Sequence, residues 1–464
     1  MTESSRLEHL SPQDVEILEL ETGAIAGHTL KVAIAPRPVE GDALEALRAR
    51  VAAGLEHEPR CTQRLVPTPL RLAPPAWVDD SDFDLSAHVE RLASDGDIGH
   101  EALLEIVARS MAERLDRRRP LWSITLVEGL EGDRVAYLIK IHHCMADGSG
   151  ALKLASALLW DSAPSTAPPD GEHAGAGAPG GSALLASGLR ERLRSSTATG
   201  LDVAAAVTTP SRWRAGASSV ARVPGTVARE LRSVSERSPL DVAIGRERTV
   251  AFVTCPLEDL KRAAHAVERA KINDAILAAV AGGLRGWLLG RGDELPHMRV
   301  KVPVSMHTAD EGSAALGNRD SFFFVNLPLD EPDPVRRLET VQRETAECKR
   351  HHDAETLYAL FNDLSHVSRR AYRHANAIAG SPGVFSLCVS NVPGPRERVH
   401  ALGRPVEEMH TLAEIGDRHG LRVSALSHAG QVSIGLCADA EAVGELDVLT
   451  AAFEESLSEL CVES

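Results

Sequence analysis

The sequence predicts an α/β protein made of two halves, each of mixed sheet and helix, joined by a crossover segment. Three observations carry that expectation. Short apolar strands alternate with helical periodicity through the first 160 residues, a Pro/Gly/Ala-rich stretch interrupts them, and the alternation resumes from about Arg246 to the end. The expected division is therefore 1–160, a linker and connector over 161–245, and 246–464. With 464 residues, 43% of them hydrophobic, the chain can fill more than one core.

In chain order, the most legible strand is 134–141. Val135, Tyr137, Ile139 and Ile141 fall on one face, Ala136, Leu138 and Lys140 on the other, and the strand runs directly into His142. After a Gly-rich turn, 151–160 reads as a helix with Leu152, Leu154, Leu158 and Leu159 as its apolar positions. The following DSAPSTAPPDGEHAGAGAPGGSA has almost no large apolar residue to bury and is expected to be a mobile linker. Beyond it, 184–232 carries Arg190, Arg192, Arg194, Arg212, Arg214, Arg222, Arg229 and Arg232 against only Glu191, Asp202 and Glu230. With Leu184, Leu185, Leu189, Val203, Val207 and Trp213 interleaved, this piece is either a surface for anionic lipid or a helical connector packed on the body. In the second half, Ile276, Val280, Leu284 and Trp287 mark an amphipathic helix starting near Asn273, where Asn273 or Asp274 would cap free backbone N–H groups. Strands are expected at 299–304, 322–327, 385–390, 421–426 and 432–437, and a last helix at 445–460.

Composition excludes several classes of function. A formal charge of −16 repels phosphates, so nucleic acid is not an expected partner. The N-terminus lacks the basic and apolar regions of a signal peptide, and no run approaches the roughly 18 apolar residues of a spanning helix. The expected place is the cytoplasm, with any membrane contact made from the surface. Seven cysteines, at 61, 144, 255, 348, 388, 437 and 461, form no CxxC pair and read as reduced thiols, giving neither a disulfide framework nor a zinc knuckle.

The sharpest chemical signal is His142-His143-Cys144-Met145-Ala146-Asp147-Gly148, an HHxxxDG motif at a strand end, followed by Ser149-Gly150. A strand end holds a side chain rigidly at the mouth of a crevice, and the glycines permit close approach. A neutral imidazole accepts a proton from a hydroxyl near neutral pH and returns it to a leaving group. Adjacent strand residues face opposite ways, so one histidine reaches the crevice and the other is structural. For the same reason the two histidines with Asp147 make a poor metal site, and no HExxH occurs. Without a GxSxG there is no nucleophile elbow, and Cys144 reads as a buried free thiol. Two core histidines with a turn aspartate remain the alternative that needs no chemistry.

The motif resembles the signature of the CoA-dependent acyltransferases, which include chloramphenicol acetyltransferases and peptide-synthetase condensation domains. Further landmarks are similar to those of the bacterial wax ester synthase/diacylglycerol acyltransferase family, in the family's order. These are Leu10-Ser11-Pro12-Gln13-Asp14; Trp77-Val78-Asp79-Asp80 with Asp82-Phe83-Asp84 and His88; Leu115-Asp116 with Pro120-Leu121-Trp122; Asn273-Asp274; Pro303-Val304-Ser305; Gly317-Asn318; and 390–395, SNVPGP. The resemblance implies two chloramphenicol-acetyltransferase-like subdomains with the active-site groove between them. It also implies transfer of a long-chain fatty acyl group from acyl-CoA to diacylglycerol or a long-chain alcohol at a membrane or lipid-inclusion surface. No metal or other cofactor is implied.

Carried onto these positions, His143 would be the general base and then the acid, with His142 supporting it. Asp147 would orient the turn through an arginine, and Gly148 would keep the tunnel open. Asn273, at a helix N-terminus, is the candidate oxyanion donor, although capping explains it equally. Asp274, Pro303, Ser305, Ser390, Asn391 and Gly394 would line the substrate groove, and Pro120-Leu121-Trp122 would be packing. One departure is Met306-His307, where the family commonly has an arginine. Two other expectations stay open: an acceptor hydroxyl on a polyketide or peptide, and a non-catalytic acyl-lipid-binding protein of the same fold.

Overall fold

The computed structural model describes residues 7–39, 41–92, 97–162, 181–190, 223–231, 235–306 and 320–462. Most of the expected linker, the arginines at 192, 194, 212, 214, 222 and 232, and Gly317-Asn318 lie outside the described residues. The first half contains α1 (Pro12–Leu20), β1 (His28–Pro36), α2 (Ala43–Leu55), β2 (Gln63–Val66), β3 (Ala76–Asp79), β4 (Val89–Leu92), α3 (His100–Ala112), β5 (Trp122–Leu130), β6 (Arg134–His142) and α4 (Gly148–Leu159). The connector contributes helices α5 (181–190) and α6 (223–230). The second half continues with β7 (Arg248–Pro256), α7 (Leu257–His265), α8 (Ile272–Gly290), β8 (Met298–Ser305), β9 (Asp320–Leu327), α9 (Pro334–His351), α10 (Asp353–Val367) and α11 (Arg369–Ala379). It ends with β10 (Leu387–Val392), β11 (His400–Ala401), β12 (Arg404–Pro405), β13 (Glu408–Ala413), β14 (Leu421–His428), β15 (Gln431–Asp439), α12 (Ala440–Val443) and α13 (Leu446–Val462).

Two mixed sheets organise these elements, with strand orders β13-β1-β6-β5-β4 and β7-β15-β14-β10-β8-β9. The two faces of β6 divide the first half's core as the alternation requires. Val135, Tyr137, Ile139 and Ile141 join a cluster with Leu47 and Val51 of α2 and Leu154 and Leu158 of α4, whereas Ala136 and Leu138 meet Leu103, Val107 and Met111 of α3. In the second sheet, Val300, Val302, Val389, Val423 and Ile434 pack under α8, α9 and α13. The residues alternating with them, including Lys301, Ser390, Arg422 and Ser424, point the other way, toward the first half.

The halves are not separate in sequence. Strand β13 belongs to the C-terminal segment, yet it pairs antiparallel with β1 in the first sheet, placing Thr411 opposite Lys31. The boundary expected at 246 is therefore crossed by one strand, because β1 would otherwise be a bare sheet edge with unpaired N–H and C=O groups. Leu412 of β13 is fully buried between the sheets in the cluster of Leu30, Leu138 and Cys437. The second sheet approaches closely behind it: a Cβ on Gly435 would lie 2.2 Å from the Thr411 carbonyl oxygen.

Local sequence accounts for most element starts. Ser11 caps α1 by accepting from the Asp14 N–H at 3.1 Å, and its hydroxyl donates to the Asp14 carboxylate. The ring of His88 stacks on Trp122 at 4.7 Å and its Nδ1 lies 2.8 Å from the Trp122 carbonyl, while the indole N–H donates to the Cys61 carbonyl. Helix α8 is long and apolar enough to cross a membrane by length and composition, although Asn273, Asp274 and Arg285 interrupt its apolar run. It is a core helix rich in Ala and Gly, with 72% of its apolar window buried. The connector helices pack on the body. Leu184 of α5 meets Ala76 and Val78, and on α6 Thr226 and Arg229 bind Asp353 while Glu230 accepts the Phe324 N–H. Arg229 is thus engaged with protein and not turned to lipid.

Truncating Leu412 to alanine is expected to lower the unfolding free energy by about 2–5 kcal/mol, as for other fully buried leucines. Urea denaturation followed by tryptophan fluorescence measures it, and a change below about 1 kcal/mol would mean that β13 does not hold the halves together.

Candidate active site

Strand β6 ends on His142, and the chain then turns through His143, Cys144 and Met145 before Asp147 starts α4. The His142 ring is 1% exposed and held on both sides. Its Nδ1 accepts the Cys144 N–H at 3.1 Å, which leaves the proton on Nε2, and Nε2 lies 3.6 Å from a Glu21 carboxylate oxygen. Burial pushes the Glu21 carboxyl up, but hydrogen bonds from His142 and Arg117 outweigh it, so the group sits below its ordinary value and stays ionised. Gly27 closes the third side. It has φ +71° and a Cβ there would lie 2.8 Å from His142 Nε2, so both its backbone and its missing side chain suit the ring. Its carbonyl accepts the His143 N–H at 2.9 Å, and the His142 N–H donates to the Leu121 carbonyl at 3.0 Å. This last bond is the structural role of Pro120-Leu121-Trp122.

With His142 fixed, His143 faces the seam between the halves and keeps an intermediate exposure. One ring N–H is held by the residue's own backbone carbonyl, which leaves the opposite nitrogen as the acceptor. Burial, then the charge of Arg422, pushes this imidazole down to about 4 against the opposing pull of Asp147. The ring is therefore neutral at pH 7, the form a general base requires. Cys144 is buried at 2% exposure, and burial drives its thiol far above the ordinary range, so it is no nucleophile.

Asp147 caps α4, accepting the Gly150 N–H at 2.6 Å and the Ser149 hydroxyl at 2.8 Å. In the second half, burial and then the charge of Asp147 raise the carboxyl of Asp320, the first residue of β9, to about 7. The charges of Arg422, Lys301 and Lys31 also reach this pair. Gly148 marks a close approach of the halves, since a Cβ there would lie 2.9 Å from Val392. The groove-lining expectation divides. Ser390 donates to Ser424 at 3.2 Å, and Gly394 N–H donates to the Ser427 hydroxyl at 3.2 Å, both beside Val392 at the seam. Asn391 alternates to the other face. Pro303 and Ser305 lie at the end of β8; Ser305 pairs with Asp320 and shares the face of Lys301.

Asn273 and Asp274 are not brought to His143. They open α8, which packs on the opposite face of the second sheet. Asp274 accepts the Lys271 N–H at 2.8 Å and the Thr345 hydroxyl at 2.8 Å. Of the two, Asp274 is the one whose side chain caps this helix start, as the alternative reading expected, and Asn273 precedes it as the second residue of the helix. A helix start exposes N–H donors whether or not a substrate is near, so the two readings share one sequence pattern. The residues sequence reasoning missed are Glu21, Gly27, Lys31, Lys301, Asp320 and Arg422. Lys31, Lys301 and Arg422 each interrupt an apolar strand alternation, which was a usable sign of a buried polar site.

Two sheet-and-helix lobes stitched by an exchanged strand, with a neutral histidine offered at a strand end in their seam, define a two-lobed acyltransferase. The solved wax ester synthase/diacylglycerol acyltransferase from Marinobacter aquaeolei VT8 has this fold, with a TM-score of 0.66 at 21% identity over 98% of this chain and 99% of that one. So does the first condensation domain of the CDA synthetase, with a TM-score of 0.63 at 18% identity over 100% and 97%. The chain belongs to the wax ester synthase/diacylglycerol acyltransferase family: the family's catalytic-domain model matches residues 10–276 and its C-terminal-domain model residues 316–461. A probable diacylglycerol O-acyltransferase, tgs1, of Mycobacterium tuberculosis H37Rv is 30% identical over 467 residues, 98% of this chain and 96% of the relative. A putative diacylglycerol O-acyltransferase of the same strain is 31% identical over 470 residues, 98% and 97%.

Because the neutral imidazole is the active form and its value is lowered to about 4, kcat/KM is expected to rise with pH through about 4 and level off above about 5.5. A pH–rate profile with its acidic limb near 6.5 would show that His143 is not held in this environment.

Proposed function

We propose that the protein transfers a long-chain fatty acyl group from acyl-CoA to the free hydroxyl of diacylglycerol, making triacylglycerol, with long-chain alcohols as second acceptors. The observation that carries this reading is the neutral, half-buried His143 fixed between Gly27, His142 and Asp147 at the seam. His143 takes the hydroxyl proton as the oxygen attacks the thioester carbonyl. The tetrahedral oxyanion then collapses, the C–S bond breaks, and the imidazolium returns the proton to the departing CoA thiolate. A thioester is already a good electrophile, so this chemistry requires no metal or prosthetic group. His142 supports by holding the turn, and Asp147 orients it. Arg422, whose buried Nε–H has no acceptor among the described residues, supplies positive potential where the oxyanion forms. Pro303, Ser305, Ser390 and Gly394 border the same seam and are assigned to the substrate groove.

Triacylglycerol and wax esters are insoluble in water, which supports an enzyme, expected in the cytoplasm, that works at the surface of a membrane or lipid inclusion. Helix α11 presents Arg370, Arg373, His374 and Ile378 to solvent, a basic face with one large apolar residue suited to anionic headgroups. Acyl transfer to a polyketide or peptide hydroxyl is the alternative that the condensation-domain fold alone would equally permit; the full-length likeness to named diacylglycerol acyltransferases supports the lipid acceptor.

Replacing His143 with alanine is expected to reduce kcat by roughly 100- to 10,000-fold, the usual worth of a positioned base. Release of free CoA thiol, followed in parallel with diacylglycerol, hexadecanol and no acceptor, measures it. Release that does not depend on either lipid acceptor would overturn the proposed reaction.

A further inference from the structure

The loop between α1 and β1 carries two groups that hold the motif: Glu21 beside the His142 ring, and Gly27, whose carbonyl accepts the His143 N–H at 2.9 Å. Within the loop, Thr22 and Ile25 close a turn, with the Thr22 N–H donating to the Ile25 carbonyl and the Ile25 N–H to the Thr22 hydroxyl, both at 3.1 Å. Such a turn fixes its own shape and not where it sits. The C-terminal half supplies the placement. The Arg246 Nε–H donates to the Gly23 carbonyl at 2.9 Å, the Arg248 guanidinium donates to the Ala24 carbonyl, and the Glu414 carboxylate accepts the Ala26 N–H at 3.0 Å. Arg248 and Glu414 are both buried and pair with each other at 3.0 Å. The Glu414 carbonyl in turn accepts from Arg422 at 3.2 Å. A buried ion pair is a poor source of net stability, and apolar residues of like volume would fill the same space at least as well. What they would not do is grip a backbone carbonyl and a backbone N–H two residues apart.

We propose that Arg248 and Glu414 are positioning residues for acyl transfer: from the C-terminal half they hold the loop 21–27 in the one place where the Gly27 carbonyl sets the direction of His143. The proposal rests on His143 being the base. The path is short, since Ala26 on Glu414 is followed directly by Gly27 on His143. When the grip is lost, Gly27 and the His143 N–H drift together, and the imidazole meets the acceptor hydroxyl off line.

Three variants of the full chain, assayed with palmitoyl-CoA and dioleoylglycerol, test this. The pair Arg248→Met with Glu414→Met removes both loop contacts and leaves no unpaired buried charge. It is expected to lower kcat on the order of 100-fold while changing the KM for palmitoyl-CoA less than about threefold, the loss usual when a reacting group is misplaced. Arg248→Met with Glu414→Gln restores an acceptor for the Ala26 N–H and is expected to recover at least tenfold of that loss. The methionine pair at wild-type kcat, or the glutamine variant no better than it, would overturn the proposal. Should the methionine pair fail to fold, Arg248→Lys carries the test, because a single ammonium keeps a charge opposite Glu414 without the guanidinium's fork to reach Ala24 as well. Its kcat is expected to fall at least tenfold, and a wild-type kcat there would overturn the proposal equally. Hydrogen–deuterium exchange separates this from failure of the base assignment. The His143 amide, bonded to Gly27, is expected to exchange at least tenfold faster in each variant that loses activity. Unchanged exchange removes the positioning role whatever His143→Ala does; an active His143→Ala removes the base assignment alone.

Discussion

The site depends on one imidazole being immobilised so that its neighbour can react. A strand offers adjacent side chains to opposite faces, so whatever holds the first also sets the direction of the second. His142 is held by a backbone N–H on Nδ1, an ionised carboxylate beside Nε2 and a glycine that leaves the ring its space. Gly27 is itself fixed from the other half. The Ala26 N–H donates to Glu414, which directly follows β13, and Glu414 pairs at 3.0 Å with the buried Arg248 of β7. A buried ion pair of this kind contributes little net stability because desolvation offsets its attraction, but losing one partner leaves an uncompensated charge. Its value here is geometric: the loop that carries Gly27 has one position relative to both sheets.

Around His143 the charges are balanced rather than neutral. Lys31, Lys301 and Arg422 face Glu16, Asp147 and Asp320, and burial moves the shifted members of this set toward the middle of the pH scale. Lys31 falls to about 8, while Glu16 and Asp320 rise to about 7. Each displacement has the same cause, since removing water penalises the charged form of acids and bases alike. The consequence for His143 is a ring that stays unprotonated, because burial and Arg422 together exceed the help of Asp147. A cation near the base weakens it in the resting site. The same cation favours the oxyanion that appears during reaction, a trade that serves catalysis when charge develops on the thioester oxygen.

How much of this was legible in the sequence depended on the range of the interaction involved. Strand β6 and helix α4 were readable because alternation, a glycine turn and a capping aspartate are all local signals, and the strands expected at 299–304 and 421–426 fall inside β8 and β14. The motif's direction followed from strand geometry alone. The pairing of β13 with β1 was not readable, since nothing in EMHTLA says which sheet it completes. Asp320 and Glu21 were invisible for a related reason: a single carboxylate carries no spacing to count, and each acquires its role from a residue distant in sequence. Asn273 carried two readings because a polar residue at a helix start looks the same whether the helix end faces substrate or core.

An exchanged strand gives a two-lobed enzyme a property that two independent lobes would lack. Lobes joined only by a linker open and close as rigid bodies, and each opening would separate Gly148 from Val392 and Asp147 from Asp320. With β13 paired along β1 and packed by Leu412 against the second sheet, opening at that end would expose a fully buried leucine and break a strand ladder. The halves are therefore clamped on the β13 side. On the other side of His143 the contacts among the described residues are side-chain ones: Gln13 on the Asp320 carbonyl, and Glu16 and Glu19 of α1 with Asn376 and Arg369 of α11. The two sides of the seam are thus held differently, one by a strand ladder and a buried leucine, the other by polar side chains that can exchange partners with water.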